Sequence, residues 1–468
     1  MALILYNSLS RDKEMFEPLG HTGTVGLYTC GPTVYDYVTI GNWRTYTLGD
    51  ITARVLSFDG YAVKYFMNIT DVGHLTGDNE GDADTGEDRM EKAKKREGKT
   101  AWDVAHFYAD DFLIGYKKLN LFPPEKFLKA TDYIPEQIAL VERLMDHDLA
   151  YAIDDGIYFN TAAYEARGFM YGELSNLDHI KAGARVEFNP EKKNPRDFAL
   201  WKFSPKDEKR DMEWESPWDI GFPGWHIECS AMSMKFLGEQ FDIHVGGEDL
   251  KSTHHPNEIA QSQGATGMVP FVKYWIHGAF LQVDGGRMGK SLGNAYTLHD
   301  IEKKGINPLA LRYFYMTSHY RSPLNFTWEG LEASQNALHK LYKEYKKLSQ
   351  GSNSTTSMAH VEKFTEALND DLNLPKALAV LWELIKDDTI ADADKKETLL
   401  RLDTVLGFNL SSLKEEIIPV EVTRLVALRE QARRDKKWQE SDAFRANIKA
   451  LGFDIVDTDH GPVVSPLS

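Results

Sequence analysis

Residues 25–58 have the sequence VGLYTCGPTVYDYVTIGNWRTYTLGDITARVLSF, from which the architecture of the chain can be predicted. The apolar VGLYTC predicts a buried strand, GPTVYDYVTIGN predicts a loop, and the remainder has the apolar spacing of a helix. The next segment, AVKYFMNIT from Ala62, predicts another strand. Strand, loop, helix and strand in this order form a βαβ unit, so we expect a parallel sheet with a ligand site where the first strand ends.

A second half of the sheet is predicted farther along the chain. FDIHVGG from Phe241 predicts a strand, HHPNEIAQS a helix, and VKYWIHGAFLQV further strands. Between the halves, Asp155-Gly156 separates two apolar segments and predicts a hairpin. We therefore predict an α/β fold, with a Rossmann-like doubly wound parallel sheet and an inserted α+β subdomain. A helical bundle and a small α+β C-terminal module are expected to follow.

The composition is that of a globular protein, because 42% of the 468 residues are hydrophobic and 27% are charged. No apolar stretch reaches the roughly 18 residues of a membrane-spanning helix. Two cysteines, Cys30 and Cys229, are too few for a disulfide framework. The net charge of −17 excludes a uniformly basic surface for nucleic acid, so any RNA contact must be local. We expect a cytoplasmic enzyme that does not bind a membrane.

Potential metal ligands occur in two separate motifs. In HVGGEDLKSTHHPNEIAQ, His254 and Glu258 are four residues apart, so on a helix both side chains lie on one face. Such a pair alone is more often a solvated helix face. GWHIECS contains Cys229, and if Cys30 completes the set, the ligands are two thiolates, an imidazole and a carboxylate. Among common biological metals this set suits Zn²⁺ best.

The combination of GWHIECS, HHPNE and the upstream CGPTVYD resembles the cysteinyl-tRNA synthetases. The resemblance implies one zinc ion per chain, which binds the sulfur of substrate cysteine and is held by Cys30, Cys229, His254 and Glu258. A thiolate binds zinc strongly, whereas the hydroxyl of serine is harder and far less acidic. A hydrophobic pocket separates such near-isosteres by only about 1–3 kcal/mol. The metal would therefore make a separate editing domain unnecessary.

Two further motifs resemble altered ATP-binding motifs of class I synthetases. TIGN, residues 39–42, stands in place of HIGH, and RMGKS, residues 287–291, stands in place of KMSKS. The resemblance implies contacts to Mg²⁺-bound ATP from Thr39, Gly41, Asn42, Gly247, Asp249 and Lys290. The hydroxyl and the amide of TIGN still offer donors, although a short hydroxyl reaches less far than an imidazole. Without the resemblance, Gly-Lys-Ser is more often a turn.

Other residues match the family's substrate pocket. The resemblance implies that Trp225 forms an aromatic wall of the cysteine pocket and that Thr70, in NITD, makes a polar contact near the substrate. Core packing is the alternative for both residues. The neighbouring histidines are expected only to line a polar cleft.

A locally positive segment lies near the C-terminus. Residues 424–449 contain eight basic and four acidic side chains, with Trp438 among them. Basic residues contact phosphates, and an exposed aromatic ring can stack on unpaired bases. The segment resembles the family's anticodon-binding module, which implies tRNA contacts from Arg433, Arg434 and Trp438. A solvated helix is the alternative.

The resemblance also implies a domain organisation. Residues 1–290 form the catalytic domain, with the inserted subdomain at about 120–215. Residues 291–350 contact the tRNA stem and begin with the KMSKS-like loop, residues 351–410 form the helical bundle, and residues 411–468 form the anticodon-binding module. The polar linker QGSNSTTS favours the boundary near 350.

We therefore expect a monomeric member of this family, with tRNA(Cys), L-cysteine and ATP as its partners. Two alternatives stay open. One is a cysteine ligase that joins cysteinyl-adenylate to a small amine, as mycothiol-pathway relatives do, although the C-terminal module argues against it. The other is a catalytically silent cysteine- or tRNA-binding paralogue, suggested by the missing histidines of TIGN.

Overall fold

A computed structural model describes the chain at residues 2–20, 23–73, 88–175, 189–206, 209–289, 292–349, 351, 354–413, 419–458 and 461–466. The chain forms two compact units, residues 1–410 and 411–468. The strands of the first unit are β1 (Ile4–Asn7), β2 (Asp12–Met15), β3 (Thr24–Thr29), β4 (Ala62–Ile69), β5 (Lys126–Lys129), β6 (Ala150–Ile153), β7 (Gly156–Phe159), β8 (Ala199–Phe203), β9 (Gly221–Pro223), β10 (Phe241–Gly247), β11 (Val272–Gly278), β12 (Leu281–Val283), β13 (Gly286–Arg287) and β14 (Leu324–Phe326).

The helices of the first unit are α1 (Ile40–Phe58), α2 (Arg89–Glu97), α3 (Ala101–Lys118), α4 (Ile134–Asp146), α5 (Thr161–Ala166), α6 (Trp225–Leu237), α7 (His254–Thr266), α8 (Leu298–Lys303), α9 (Pro308–Met316), α10 (Trp328–Lys347), α11 (Met358–Asn369), α12 (Leu374–Lys386) and α13 (Asp392–Leu406). Short 3₁₀ helices lie at Ala130–Tyr133, Glu248–Lys251 and Leu410–Ser412.

The central sheet has five parallel strands in the order β11-β10-β3-β4-β5. From β3 the chain adds β4 and β5 on one side, and it later adds β10 and β11 on the other. This confirms the predicted doubly wound sheet. The strand order reverses between β3 and β10, and in open α/β sheets ligands bind at the carboxyl ends of the strands at such a reversal.

Helix α1 starts at this edge of the sheet. Thr39 caps it, because its hydroxyl accepts a hydrogen bond from the backbone N–H of Asn42 at 3.4 Å. The helix packs against β3, β4 and β10. Gly49 permits the close packing, since a Cβ there would lie 2.5 Å from Thr29 Oγ1. The first turn of α1 is therefore fixed at the strand reversal.

The inserted α+β subdomain contains the antiparallel sheet β6-β7-β8-β9. The predicted hairpin is present, but Asp154 and Asp155 form its turn and Gly156 begins β7. A Cβ on Gly156 would lie 2.4 Å from the carbonyl oxygen of Trp201, so the close strand pairing requires the glycine. Strand β5, which lies within the predicted insertion at about 120–215, belongs to the central sheet; KFLK is short and half basic, and has no clear strand pattern. The bounds of the insertion stay a prediction.

The helical segment after the sheet packs onto α1. Its first helices, α8 and α9, lie between β13 and β14 of a small sheet with the strand order β13-β12-β14, and α13 contacts α1. Arg312 of α9 is fully buried and forms an ion pair with Asp50 of α1 at 2.6 Å. The same guanidinium donates to the carbonyl of Leu406 at the end of α13. The helices α11, α12 and α13 thus belong to the same compact unit as the sheet.

The second unit contains α14 (Val420–Arg434), α15 (Trp438–Ala450) and a hairpin of β15 (Phe453–Thr458) and β16 (Gly461–Pro466). Its core consists of Val422, Leu425, Ile448 and Ile455. The buried Arg429 donates to both carboxylate oxygens of Asp457 at 2.8 Å. This is the small α+β module that the sequence predicts. Of the helices described in the two units, none combines the length and the apolar character needed to cross a membrane.

Candidate metal and nucleotide site

The four predicted metal ligands meet at the strand reversal. Cys30 directly follows β3, Cys229 lies on α6, and His254 and Glu258 lie in the first turns of α7. Their ligand atoms are all within 4.8 Å of one another. Glu258 Oε1 lies 2.9 Å from His254 Nε2 and 3.7 Å from Cys30 Sγ. All four side chains are buried, so sites far apart in the chain form one enclosed group.

The spacing of the two thiols suits zinc. Two thiolates bound to a tetrahedral zinc at about 2.3 Å lie about 3.8 Å apart. The Sγ atoms of Cys30 and Cys229 are 3.9 Å apart, and both residues are free thiols. Mg²⁺ and Ca²⁺ take oxygen ligands, whereas a mixed set of sulfur, nitrogen and oxygen is typical of zinc. The residues therefore fit one zinc ion.

The electrostatics of this group favour the metal-binding forms of Glu258 and Cys229, but the protonated forms of His254 and Cys30. Burial alone would raise the pKa of the Glu258 carboxyl, but His244 and His254 donate to it and lower its pKa to about 2. Burial opposes a charged His254, yet the adjacent Glu258 and Cys229 raise its pKa to about 10. Burial also favours the thiol form of Cys229, but a hydrogen bond from Cys30 stabilises the thiolate and lowers the pKa of Cys229. Burial raises the pKa of Cys30. A metal ion would displace the remaining protons.

Further histidines hold the ligand side chains in place. His226 Nδ1 lies 2.9 Å from His254 Nδ1, which leaves Nε2 of His254 directed at Glu258. His244 Nε2 lies 3.0 Å from Glu258 Oε2. Such contacts fix the ring orientation of a ligand. A second group of four ligand atoms within 4.8 Å of one another is formed by Cys30, His244, His255 and Glu258.

Two adjoining cavities open beside the metal ligands. The first has a volume of about 210 Å³ and includes Cys30 and Trp225 in its lining. The second has a volume of about 480 Å³ and extends along the β11–β12 loop to Met288 of RMGKS. The residues that line both cavities are Thr39, Asn42, Thr45, Gly247 and Asp249. A small side chain and a nucleotide could thus bind next to each other.

The TIGN motif forms the first turn of α1 at the junction of these cavities. Thr39 donates its hydroxyl hydrogen to Asn42 Oδ1 at 2.7 Å, so the carbonyl of the Asn42 side chain is used within the turn. Among the described residues, the NH₂ group of Asn42 and the backbone N–H of Gly41 have no partner and remain as donors for an anion, whereas the N–H groups of Ile40 and Asn42 are already used. A Cβ on Gly41 would lie 2.4 Å from Met288 Cε. TIGN and RMGKS are therefore neighbours.

Not every predicted residue lies in a cavity. Trp225 lines the first cavity, and its ring centre is 4.4 Å from that of His254. Thr70 lines neither cavity. It is buried, and its hydroxyl donates to Glu228 Oε2 at 2.8 Å. Lys290 lies outside the described residues. A substrate contact by Thr70 and a phosphate contact by Lys290 stay predictions.

The predicted tRNA contacts lie on the second unit. Trp438 begins α15 and is 58% exposed, so its ring is accessible for stacking. Arg434 is exposed and donates to Gln431 Oε1 at 2.8 Å. Arg433 lies 3.3 Å from Asp457 Oδ2, so part of its charge is already compensated.

Some residues that line the first cavity were not predicted. Thr45 and Tyr46 of α1 lie in the lining with Thr39 and Asn42. The spacing of three to four residues places them on one helix face, so this signal was present in the sequence. Arg89 of α2 also lines the cavity, and no motif in the sequence indicated it.

Comparisons with known proteins agree with this site. Residues 16–336 match the family described as tRNA synthetases class I (C) catalytic domain, and residues 363–410 match the DALR domain. Among solved structures, a Mycobacterium tuberculosis methionyl-tRNA synthetase in complex with methionyl-adenylate has a TM-score of 0.54 at 15% identity, over 89% of this chain and 96% of that chain. The Agrobacterium radiobacter K84 agnB2 LeuRS–tRNA–LeuAMS ternary complex has a TM-score of 0.59 at 11% identity, over 85% of each chain. These two likenesses show the shared fold.

Relatives with assigned names match nearly the whole chain. Cysteine–tRNA ligase 1 of Burkholderia lata is 46% identical over 466 residues, which cover 98% of this chain and 96% of the relative. The cysteine–tRNA ligase of Treponema denticola is 41% identical over 492 residues, covering 98% of each chain. With this identity, coverage and catalytic-domain match, the chain belongs to the cysteine–tRNA ligase family of class I tRNA synthetases.

Proposed function

We propose that this chain attaches L-cysteine to tRNA(Cys) in two steps. The carboxylate of cysteine attacks the α-phosphate of Mg²⁺-bound ATP, which gives cysteinyl-adenylate and pyrophosphate. The terminal ribose hydroxyl of the tRNA then takes the cysteinyl group and releases AMP. Membership of the cysteine–tRNA ligase family supports this reaction, as does the match over 98% of the chain.

The proposal depends most on the enclosed group of two thiols, an imidazole and a carboxylate beside a nucleotide-sized cavity. Zn²⁺ held by Cys30, Cys229, His254 and Glu258 would bind the thiolate of cysteine and lower its pKa. Serine cannot replace this interaction, because its hydroxyl is far less acidic than a thiol and its oxygen is a harder ligand than sulfur. Trp225, packed on His254 in the same cavity, would cover the side chain of the bound amino acid.

Residues at the junction of the two cavities would position ATP. The start of α1 and the NH₂ group of Asn42 would donate to the phosphates, together with Lys290. Asp249, which lines both cavities, would accept hydrogen bonds from the ribose hydroxyls. No covalent enzyme intermediate is needed, since phosphoryl chemistry of this kind requires mainly positioning and stabilisation of charge.

Cysteine-dependent ATP–pyrophosphate exchange tests the first step. We expect exchange with cysteine, and with serine a kcat/KM lower by about 10⁴-fold or more, because serine lacks the metal-binding sulfur. Charging of tRNA(Cys) tests the second step. Exchange without charging would favour a ligase for a small amine, no exchange would favour a silent paralogue, and equal use of serine would contradict selection by the metal.

The C-terminal module is proposed to bind the anticodon through Trp438, Arg433 and Arg434. Replacing Trp438 with alanine removes a stacking surface worth about 1–3 kcal/mol, so the KM for tRNA should rise about tenfold or more. Exchange without tRNA should stay unchanged. Leu451→Ala, which truncates another exposed apolar side chain of this unit, is the matched control. An unchanged KM for tRNA in Trp438→Ala would contradict the assignment.

Three further expectations belong to this proposal. The chain would be a monomer, would act in the cytoplasm and would have domain boundaries near residues 290, 350 and 410. Light scattering on purified protein tests the first, and localisation of a tagged chain tests the second. Limited proteolysis tests the third.

A further inference from the structure

Arg44 lies in the second turn of α1 and is only 6% exposed. Its Nη1 donates to the carbonyl oxygens of Ala279 at 2.7 Å and Phe280 at 3.0 Å. Its Nη2 donates to the carbonyl oxygens of His319 at 3.3 Å and Ser322 at 2.7 Å. One planar guanidinium therefore joins three separate segments of the first unit.

Two of these carbonyls belong to the wall of the nucleotide cavity. Ala279 and Phe280 connect β11 to β12 and line the second cavity. Strand β12 pairs with β13, which ends at Arg287, the first residue of RMGKS. The start of α1 contributes Thr39 and Asn42 to the same lining. Arg44 thus connects two parts of one lining.

The other two carbonyls belong to a segment that is itself firmly held. The fully buried Asp371 accepts hydrogen bonds from Tyr320 Oη at 2.6 Å and from Arg321 Nε at 2.7 Å. The carbonyl of Tyr320 also accepts from the backbone N–H of Ala279 at 2.8 Å. The segment leads into β14, which pairs with β12. Arg44 therefore binds to a fixed support and not to a loose loop.

Four carbonyls and no carboxylate surround this cation. Among the described residues, no Asp or Glu forms an ion pair with Arg44. Burial lowers the pKa of Arg44 to about 10, so the side chain stays charged at neutral pH. A lysine would keep the charge, but an ammonium group cannot reproduce the fork of donors that spans four carbonyls. Charge and geometry can thus be separated by substitution.

We propose that Arg44 is a positioning residue that fixes the start of α1 relative to the β11–β12 wall and thereby sets the affinity of the cavity for ATP. The inference rests on the proposed function, because it assigns ATP to this cavity. Arg44 acts through the backbone of the wall and not through the metal ligands, none of which it contacts in the described structure. Its replacement should therefore affect ATP more than cysteine.

The test is Arg44→Lys, with Arg44→Gln as a second variant, in cysteine-dependent ATP–pyrophosphate exchange. Loss of the fork should raise the KM for ATP about tenfold in both variants, since a shifted wall weakens every contact to the nucleotide. The KM for cysteine should change less than about twofold, and zinc content should stay the same. If Arg44→Gln does not fold, Arg44→Lys carries the test.

Arg54→Lys is the matched control. Arg54 lies on the same helix and donates to the carbonyls of Asn120 and Thr404, which line neither cavity. The Arg54→Lys variant should leave the KM for ATP unchanged. Equal losses for ATP and cysteine, or normal ATP kinetics in Arg44→Lys with a defect only in Arg44→Gln, would overturn the proposal. If the wild-type chain shows no exchange, the proposed function fails, but equilibrium binding of ATP to the same variants still tests Arg44.

Discussion

Cys229→Ser should reduce zinc from about one ion per chain to a trace, and should lower kcat/KM for cysteine in pyrophosphate exchange by about 10³-fold, equivalent to about 4 kcal/mol. The serine side chain has nearly the same shape, so packing around α6 should be preserved. A hydroxyl is nevertheless a poor zinc ligand, because it does not ionise near neutral pH. Zinc content by atomic spectroscopy and exchange kinetics measure the two effects.

The remaining charges explain why the loss should be large. Glu258 is fully buried and held as a carboxylate by His244 and His254. Without Cys229 only three ligands remain, and the Glu258 carboxylate already has His244 and His254 as partners, so an ion must compete for it with one thiolate fewer. We therefore expect loss of the site and not a weakened copy of it.

Ser233→Ala is the matched control for this variant. Ser233 is buried one turn further along α6, and its hydroxyl donates to the carbonyl of Ser230. Its replacement should leave zinc and cysteine activation unchanged. Full zinc occupancy with normal kinetics in Cys229→Ser would show that this thiol is not a metal ligand.

The parts of the fold that were predictable are those with strong local patterns. The segment FDIHVGG alternates apolar and polar residues up to two glycines, a pattern that indicates a strand, and all seven residues of β10 are buried. The helix α1 was indicated by its spacing and by the loop before it. In contrast, β5 contains two lysines in four residues, and its place in the sheet follows from pairing with β4, which the local sequence does not reveal. Tertiary pairing decides such short strands.

The site was predictable as a set of residue types, but its contacts were not. Cys30 and Cys229 lie 199 positions apart in the chain, and only the family resemblance predicted that their thiols lie together. The motif around Thr70 did not reveal that its buried hydroxyl donates to Glu228, and a substrate contact by Thr70 stays a prediction. Arg44 carried no motif signal at all, since its partners are backbone carbonyls, which have no sequence signature.

Gly31→Ala should be the most damaging change next to the metal ligands. A Cβ at this position would lie 1.8 Å from the carbonyl oxygen of Asn68, which is backbone of β4 and cannot rotate away. The backbone N–H of Gly31 also donates to Asn68 Oδ1 at 2.7 Å, so the loop is held on the side where the clash occurs. The residue after Cys30 must therefore move, and Cys30 must move with it.

Overpacking against fixed backbone costs about 3 kcal/mol, so in Gly31→Ala we expect the midpoint of thermal unfolding of this large unit to fall by roughly 3–4 °C. Displacement of the Cys30 thiol by about 1 Å should reduce cysteine activation about 10²-fold and lower zinc occupancy. Gly26→Ala, on the strand β3 that precedes Gly31, is the control, because its Cβ would meet Phe241 Cβ at 3.3 Å and Leu237 Cδ2 at 3.4 Å, contacts that need shifts of only about a few tenths of an ångström. That variant should lose little stability and keep its zinc. Normal zinc content and activity in Gly31→Ala would mean that the loop after β3 can relax without moving Cys30, and would contradict the close approach of the two backbones as the reason for glycine.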